Sequence, residues 1–309
     1  MRALVLGGCG FIGTHLVETL VRAGDTVRVL DLGAGTEFRP RHAGAEYVYG
    51  DWLEDGCLAR ALAGPVECVY HLIGTVDVAG ANADPTGDLR QTVHGSLRLL
   101  ERCVAGGAGR VVFVSSGGAV YGVPRATPIR EDHPTAPLSA HGVSKLAVEK
   151  YLAHFGELHG LRYQIARCAN PYGEGQDPRR AQGAVAVFAY KALRDELIEV
   201  WGDGGVVRDY VYVGDVAAAL RALGGYDGPS GVFNVGSGVG RSLVEVLDAV
   251  GQAVGHAPRV RYAPARPYDV PANVLDIGAI RARVGWAPKV DFGEGVRRTA
   301  AWLATFRPA

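Results

Sequence analysis

Short apolar runs rich in Val, Leu, Ile and Tyr recur through the first half of the chain, at 2–6, 26–30, 46–49, 68–72, 110–114 and 163–167. Their hydrophobicity is continuous rather than alternating, as expected for strands covered on both faces. Between them the apolar positions take helical spacing, for example Leu16, Leu20 and Ala23. The pattern predicts a βαβ series, an α/β fold of the Rossmann type with a doubly wound parallel sheet. Ligands of such sheets lie at the carboxyl ends of the strands.

After about Pro171 the regularity loosens into Gly-rich connections at 202–205, 224–231 and 236–240 and a proline-bearing stretch at 258–271. A smaller α/β C-terminal substrate unit is the simplest account. Residues 206–213 read as one more apolar strand, and Asp215 as the cap of a helix over 216–223. The expected division is therefore 1–170 with about 206–235 as the dinucleotide-binding unit, and 171–205 with 236–309 as the substrate unit. Ser242-x-x-Glu245 is a capping box that opens a helix running to Val254, and Gly285 closes the helix before the terminal one.

Composition narrows the partners. With 309 residues there is material for two such units, and 32 basic against 32 acidic side chains leave no electrostatic footprint for nucleic acid or an anionic membrane. Five scattered cysteines without a C-x-x-C pair argue against a disulfide framework or a metal site and for a reducing compartment. The apolar segment 3–6 is too short for a signal peptide, and no apolar run reaches transmembrane length. A cytoplasmic location is expected.

Gly7-Gly8-Cys9-Gly10-Phe11-Ile12-Gly13 contains G-x-G-x-x-G. In a chain that is about one-seventh glycine such a pattern means little by itself. Its context is what counts: it follows the first strand, opens a helix, and precedes a second strand ending in Asp31, the acidic residue expected about 20 positions on. Without Cβ atoms the backbone at Gly7, Gly10 and Gly13 can approach a pyrophosphate, which the unpaired N–H groups of the helix start at Phe11 and Ile12 would hold. Asp31 would accept from both adenosine-ribose hydroxyls and repel a 2′-phosphate, favouring NAD over NADP. Asp51-Trp52, after the third strand, is placed to hold the adenine amino group; an exposed loop aspartate is the bland alternative.

With these residues the chain resembles the extended short-chain dehydrogenase/reductase family, and within it the NAD-dependent nucleotide-sugar epimerases of the UDP-glucose 4-epimerase kind. Beyond the glycine loop, the resemblance rests on Val114-Ser-Ser-Gly-Gly-Ala-Val-Tyr-Gly122, Gly142-Val-Ser-Lys-Leu-Ala-Val-Glu149, Arg167-x-x-Asn-Pro-Tyr-Gly173, Trp201-Gly-Asp-Gly204, Arg208-Asp-Tyr-Val-Tyr-Val213, Asn234-Val-Gly-Ser-Gly238 and Arg266-Pro-Tyr-Asp-Val270. It implies NAD as cofactor, with Leu72, Ser115 and Lys145 completing its site.

In that family a Tyr-x-x-x-Lys pair on one helix handles the proton, the lysine lowering the tyrosine pKa and holding the nicotinamide ribose. Here Lys145 is present and His141 occupies the tyrosine position. The family's Ser or Thr, four residues before the tyrosine of the V-Y-G block, is Gly117, with Ser116 and Ser115 as neighbours; an asparagine of the preceding helix is Thr92. Imidazole reaches roughly 2 Å less far than a phenol oxygen, enough to lose a hydrogen bond of about 3 Å. Three readings follow: an acid/base acting directly or through water, a slowed site, and an inactive site kept for binding. Lys145 facing Glu149 also fits a solvated helix pair.

The resemblance also assigns a nucleotide-sugar partner, most simply a UDP-sugar. Arg208 and Arg266 would clamp the diphosphate with Asn170 and Asp269 beside them, Trp201 would lie at the uracil, and the backbone near Val185 would read its edge. Gly118 and Ala119 stand where the family's dehydratases and decarboxylases carry acids, which leaves epimerisation, at C4 by preference. The alternatives are a catalytically impaired binding homologue and an oxidoreductase using His141 on a natural-product sugar. A homodimer is implied through two helices, one with Leu89, Val93, Leu97 and Leu100 and the other with Leu146, Leu152 and Phe155.

Overall fold

The computed structural model describes residues 1–33, 41–74, 78–180, 183–265 and 270–305. Its first part runs β1 (Arg2–Leu6), α1 (Phe11–Arg22), β2 (Thr26–Asp31), β3 (Ala45–Tyr49), α2 (Asp55–Ala61) and β4 (Cys68–His71). There follow α3 (Val78–Ala83), α4 (Pro85–Asp88), a π-helical turn over Leu89–His94, α5 (Gly95–Ala105), β5 (Val111–Ser116), α6 (Ala140–His159) and β6 (Tyr163–Cys168). The remainder comprises β7 (Asn170–Tyr172), α7 (Ala184–Ala192), β8 (Ile198–Trp201), β9 (Val207–Tyr212), α8 (Val213–Gly225), β10 (Gly231–Val235) and β11 (Gly240–Ser242). It closes with α9 (Leu243–Val254), β12 (Val260–Ala263), β13 (Ala272–Asn273), α10 (Gly278–Val284) and α11 (Phe292–Thr305).

The main sheet is parallel throughout, in the order β10-β6-β5-β4-β1-β2-β3. The chain builds outward from β1 to β3 and then returns to place β4 on the other side of β1, so the crevice at the carboxyl ends of β1 and β4 is a topological switch point. Continuous apolar strands are explained by cover on both faces: Ala3 and Val5 of β1 enter a core shared with α1 and α8, while Leu4 and Leu6 enter one shared with α2, α5 and α6. Truncating a fully buried leucine such as Leu4 would cost about 2–5 kcal/mol. No helix among the described residues is long and apolar enough to cross a membrane.

The strand expected at 206–213 forms as β9, but it pairs with β7, β11 and β13 in a separate small sheet. The strand that rejoins the main sheet is β10, beside β6. Helix α8 starts directly at the end of β9, so Asp215 falls in its first turn instead of capping it; the buried carboxylate accepts from Val290 N at 2.9 Å. The capping box of Ser242 and Glu245 forms as expected, and Gly285 closes α10 in the left-handed conformation. A third core joins α7, α9 and α11 to Tyr172, Tyr210 and Tyr212 of the small sheet.

On the helices singled out for self-association, Leu100, Leu152 and Phe155 pack inward, while Leu89, Val143, Tyr151 and Leu158 are exposed. Val143, Tyr151 and Leu158 lie within an arc of about 80° on α6. The exposed apolar face of these helices is thus theirs, and the inward-pointing residues serve the core.

Candidate active site

The glycine turn bends sharply off β1. Gly7 has φ +81°, its N–H donates to Leu30 O at 2.9 Å, and its carbonyl accepts from Gly10 N at 3.1 Å. Gly13 presses against this turn: a Cβ there would lie 2.1 Å from Gly7 O and 2.7 Å from Gly8 Cα. Helix α1 has Gly10 as its N-cap, with no side-chain cap and no acidic residue in its first turn. The N–H groups of Phe11, Ile12 and Gly13 therefore lack intrahelical acceptors and face the switch-point crevice. Asp31, half-buried at the end of β2, accepts from Cys9 N at 2.9 Å and Gly33 N at 3.1 Å. Burial, reinforced by Asp31, pushes the Cys9 thiol up to about 11, so it stays protonated beside the turn.

Helix α6 opens with two acceptors for its exposed donors. Ser139 Oγ accepts from Gly142 N at 3.2 Å, and Asn82 Oδ1 on α3 accepts from Ala140 N at 2.9 Å. His141 sits half-buried in this first turn, and Lys145 is one turn further along and buried. Lys145 Nζ donates to Val114 O at 3.0 Å and lies 4.8 Å from the Phe113 ring centroid. Burial lowers its pKa to about 8, a fall that Cys168, Asp88 and Glu149 oppose.

The Lys145 shift has a definite sign for stability. The unfolded chain keeps the lysine protonated to about 10.5, so it binds more protons than the folded one between about 8 and 10.5, and folding becomes more favourable as pH rises through that window. Below pH 8 the whole cost is present. At 1.4 kcal/mol per unit it amounts to about 3 kcal/mol. In protein freed of small molecules, Lys145→Met should therefore be about 2–3 kcal/mol more stable than the parent at pH 7, with the difference shrinking towards pH 10.5. Denaturant unfolding at both pH values measures this; equal stability at pH 7 would contradict it.

Ser115 and Ser116 part company at the end of β5. Ser115 is buried and donates to Glu149 Oε1, whose carboxylate also takes Nε and Nη2 of the buried Arg167, the latter at 2.6 Å. Glu149 thus fastens α6 to β5 and β6 instead of forming a solvated helix pair with Lys145. Ser116 points to the other face of the strand and is partly exposed. At Gly117 a Cβ would meet Leu275 Cδ1 at 2.6 Å and the carbonyls of Arg167 and Cys168 at 3.2 Å. A side chain at 117 would thus enter packed structure, which leaves Ser116 as the hydroxyl of this turn. The Gly117 carbonyl accepts from the buried Asn273 Nδ2 at 3.1 Å.

Leu72 lies partly buried just past β4, at the crevice. Asp51 is half-buried and accepts from Leu53 N at 2.9 Å, but the Trp52 side chain is buried in the core, its ring 5.1 Å from that of His71. Only the backbone of Trp52 remains for a ligand. In the small sheet, Asn170 Nδ2 donates to Asp209 O at 3.0 Å, and Arg208 Nη1 donates to Val207 O and Val270 O at 2.8 and 2.7 Å. Val185 is buried near the start of α7, where first-turn N–H groups face outward from a helix without a side-chain cap, and Trp201 is exposed at the end of β8. The structure brings Asn170 next to the turn after β5, since β7 follows β6 directly and Gly117 N donates to Cys168 O at 2.7 Å. Arg266 and Asp269 lie outside the described residues.

Residues 3–236 match the model of the NAD dependent epimerase/dehydratase family. The chain belongs to that family. The UDP-glucose 4-epimerase of Mycolicibacterium smegmatis is 36% identical over 308 residues, covering 98% of each chain. The solved UDP-glucose 4-epimerase of Thermotoga maritima, with UDP-glucose, superposes with a TM-score of 0.93 at 34% identity over 98% of both chains. That of Thermus thermophilus, a complex with NAD, does so with a TM-score of 0.91 at 39% identity over 99% of both. The resemblance read from the motifs is thus a family membership that spans both the main sheet and the small one.

Sequence reasoning missed a buried polar cluster of this family member. Asp88, Thr92 and Ser96 are spaced four apart along α4, the π-helical turn and α5, and all are buried. They face Ser144 of α6 and His71 of β4. The fourfold spacing was visible in the sequence, but polar residues at such positions ordinarily mark a solvated face.

Proposed function

We propose that the chain interconverts the C4 epimers of a UDP-sugar, with NAD as its resident cofactor. One observation carries this: an open helix N-terminus behind a glycine turn, an aspartate at the next strand end, and the His141–Lys145 face of α6 converge on the carboxyl ends of β1, β2, β4 and β5. The cradle fits a dinucleotide, because the first turn of α1 offers unpaired donors with no competing carboxylate. Backbone groups of Gly7, Gly10, Phe11, Ile12 and Gly13 would hold the pyrophosphate, and Asp31 the adenosine ribose. Asp51 and the Trp52 backbone would hold the adenine, with Leu72 bordering the nicotinamide end and Lys145 its ribose.

When bound, NAD supplies reversible oxidation at the sugar carbon, with no net redox change. The residues of this chain handle the proton. His141 takes the hydroxyl proton at a ring nitrogen through one intervening water, since imidazole falls short of the phenol's reach, and returns it after the sugar has turned. Ser116 Oγ steadies the same oxygen. Buried Lys145, seated on Val114 O, brings positive charge to the pocket. Arg208, Arg266, Asn170, Asp269, the backbone at Val185 and the Trp201 ring take the UDP end, where bidentate guanidinium contacts suit a diphosphate in an otherwise neutral protein.

The test is to incubate the pure protein with UDP-glucose, UDP-N-acetylglucosamine and UDP-glucuronate and resolve the epimers, while identifying the dinucleotide released on denaturation. Formation of a C4 epimer from one of them, with NAD in the denatured supernatant, is expected. NAD without any epimer would leave a binding protein and end the epimerase reading.

The protein should also be a homodimer, paired through the exposed face of Leu89, Val143, Tyr151 and Leu158. Light scattering at micromolar concentration should give twice the chain mass, and Tyr151→Arg with Leu158→Arg should halve it. A monomeric parent would remove the proposal.

A further inference from the structure

The cluster behind the reactive face of α6 holds a carboxylate that the mechanism above does not use. Asp88 is buried at 3% exposure, at the point where α4 passes into the π-helical turn. One of its oxygens accepts from Ser144 Oγ, and the other from Thr92 Oγ1 at 3.3 Å. Ser144 directly precedes Lys145 and lies three positions after His141, so the bond ties Asp88 to the turn of α6 that carries both. Gly74, at the end of β4, marks where the groups meet: a Cβ there would lie 2.7 Å from Lys145 Nζ and 3.8 Å from Thr92 Oγ1.

The cluster continues in one direction only. Ser96 Oγ donates to Thr92 O, so it must accept at its second contact, where His71 Nε2 lies at 2.8 Å. His71 is thereby fixed as the neutral Nε2–H tautomer, and burial, with help from the Lys145 charge, holds its pKa down at about 3. The imidazole therefore cannot serve as a cation here, and it offers Lys145 no counter-charge. Among the described residues, the charged or titratable groups coupled to Lys145 from the surrounding elements are Cys168 on β6, Glu149 on α6, His71 on β4 and Asp88. Of these the Cys168 thiol is pushed up to about 12 by burial and stays neutral, and Glu149 is already paired with Arg167. Among the described residues this leaves Asp88, whose carboxylate accepts from the hydroxyls of Thr92 and Ser144.

We propose that Asp88 is the buried counter-charge of Lys145 and a positioning residue for the His141–Lys145 face, held in place by Ser144 and Thr92. Its kinetic consequence rests on the epimerase reading; its electrostatic consequence does not. A buried cation needs a nearby anion to remain charged near neutral pH. The chain supplies one from the helix opposite, not from α6 itself, and so couples the seat of Lys145 to the π-helical turn.

The chain has only four lysines, Lys145, Lys150, Lys191 and Lys289, which makes lysine-labelled NMR a direct test. In the unmodified protein one side-chain signal, absent in Lys145→Arg, should titrate well below the other three. Asp88→Asn, which keeps the shape and removes the charge, should move that midpoint down by about one pH unit or more, a tenfold change in proton affinity. In an active enzyme the same variant should lower kcat about tenfold and move the corresponding limb of the pH profile, with KM little changed. Should Asp88→Asn not fold, Ser144→Ala with Thr92→Val strips the carboxylate of both hydroxyl donors that seat and ionise it, and should move the midpoint in the same direction, downward. A midpoint that stays at the parent value in the folded variant overturns the proposal, whether or not the protein turns over a nucleotide sugar.

Discussion

His141→Phe should lower epimerase turnover by about 10²–10⁴-fold, the usual worth of a positioned acid/base, with little change in the affinity for UDP. Phenylalanine keeps the ring and its packing in the first turn of α6 and removes both nitrogens, so the loss reads chemistry. The partner substitution, His141→Tyr, should match or exceed the parent, because a phenol oxygen on the same backbone reaches the sugar without the intervening water. Steady-state kinetics on the sugar that proves to be the substrate, with NAD content verified for each variant, decides the matter. Undiminished turnover in His141→Phe would assign the proton to another group, Ser116 being the nearest hydroxyl of the turn. Gly117→Ser is not a route to a second hydroxyl: its Cβ would strike Leu275 and two carbonyls, and the variant should lose stability without gaining activity.

Gly13→Ala should abolish retention of NAD during purification and lower the melting temperature. The added methyl carbon would sit 2.1 Å from Gly7 O and 2.7 Å from Gly8 Cα, and both are backbone atoms that cannot turn aside. Either α1 moves off the turn or the turn itself opens, and in both cases the unpaired N–H groups cease to converge on one point. The expected loss of affinity is at least about 100-fold, corresponding to about 3 kcal/mol. Gly24→Ala is the contrasting case, since it has open space around it but φ +81°; it should cost a little stability and leave NAD binding alone. NAD retained by Gly13→Ala would mean that the dinucleotide does not use this turn.

The main sheet was legible because parallel strands buried on both faces write themselves as unbroken apolar runs, and all six early strands form within two residues of where the pattern puts them. The assignment of β9 failed for a different reason. A strand of Val and Tyr is equally apolar in either sheet, and the partner is chosen by short strands, β7, β11 and β13, of two or three residues that carry no periodicity of their own. The placement of the glycine turn before α1, of Asp31 at the end of β2 and of His141 and Lys145 one turn apart on α6 was readable because each follows from order along the chain. Trp52 shows the limit, since a tryptophan beside a crevice and a tryptophan in the core look alike until the packing of His71 and Gly95 is seen. The Asp88 cluster was hidden in the same way: its polar residues read as a solvated stripe until α6 closes over them.

The contact from Asn273 to the Gly117 carbonyl makes the two sheets mechanically interdependent. Asn273 stands in register with Arg208 on β9, and a little further along the same segment Val274 O accepts from Ile129 N and Asp276 N donates to Ile129 O. A rigid-body swing of the small sheet would have to break these bonds or drag the turn after β5 along with it. A displacement of the small sheet is therefore passed to the loop that carries Ser116, so that on the proposed reading a sugar nucleotide held at the small sheet would be linked through the backbone to the turn beside its reacting carbon.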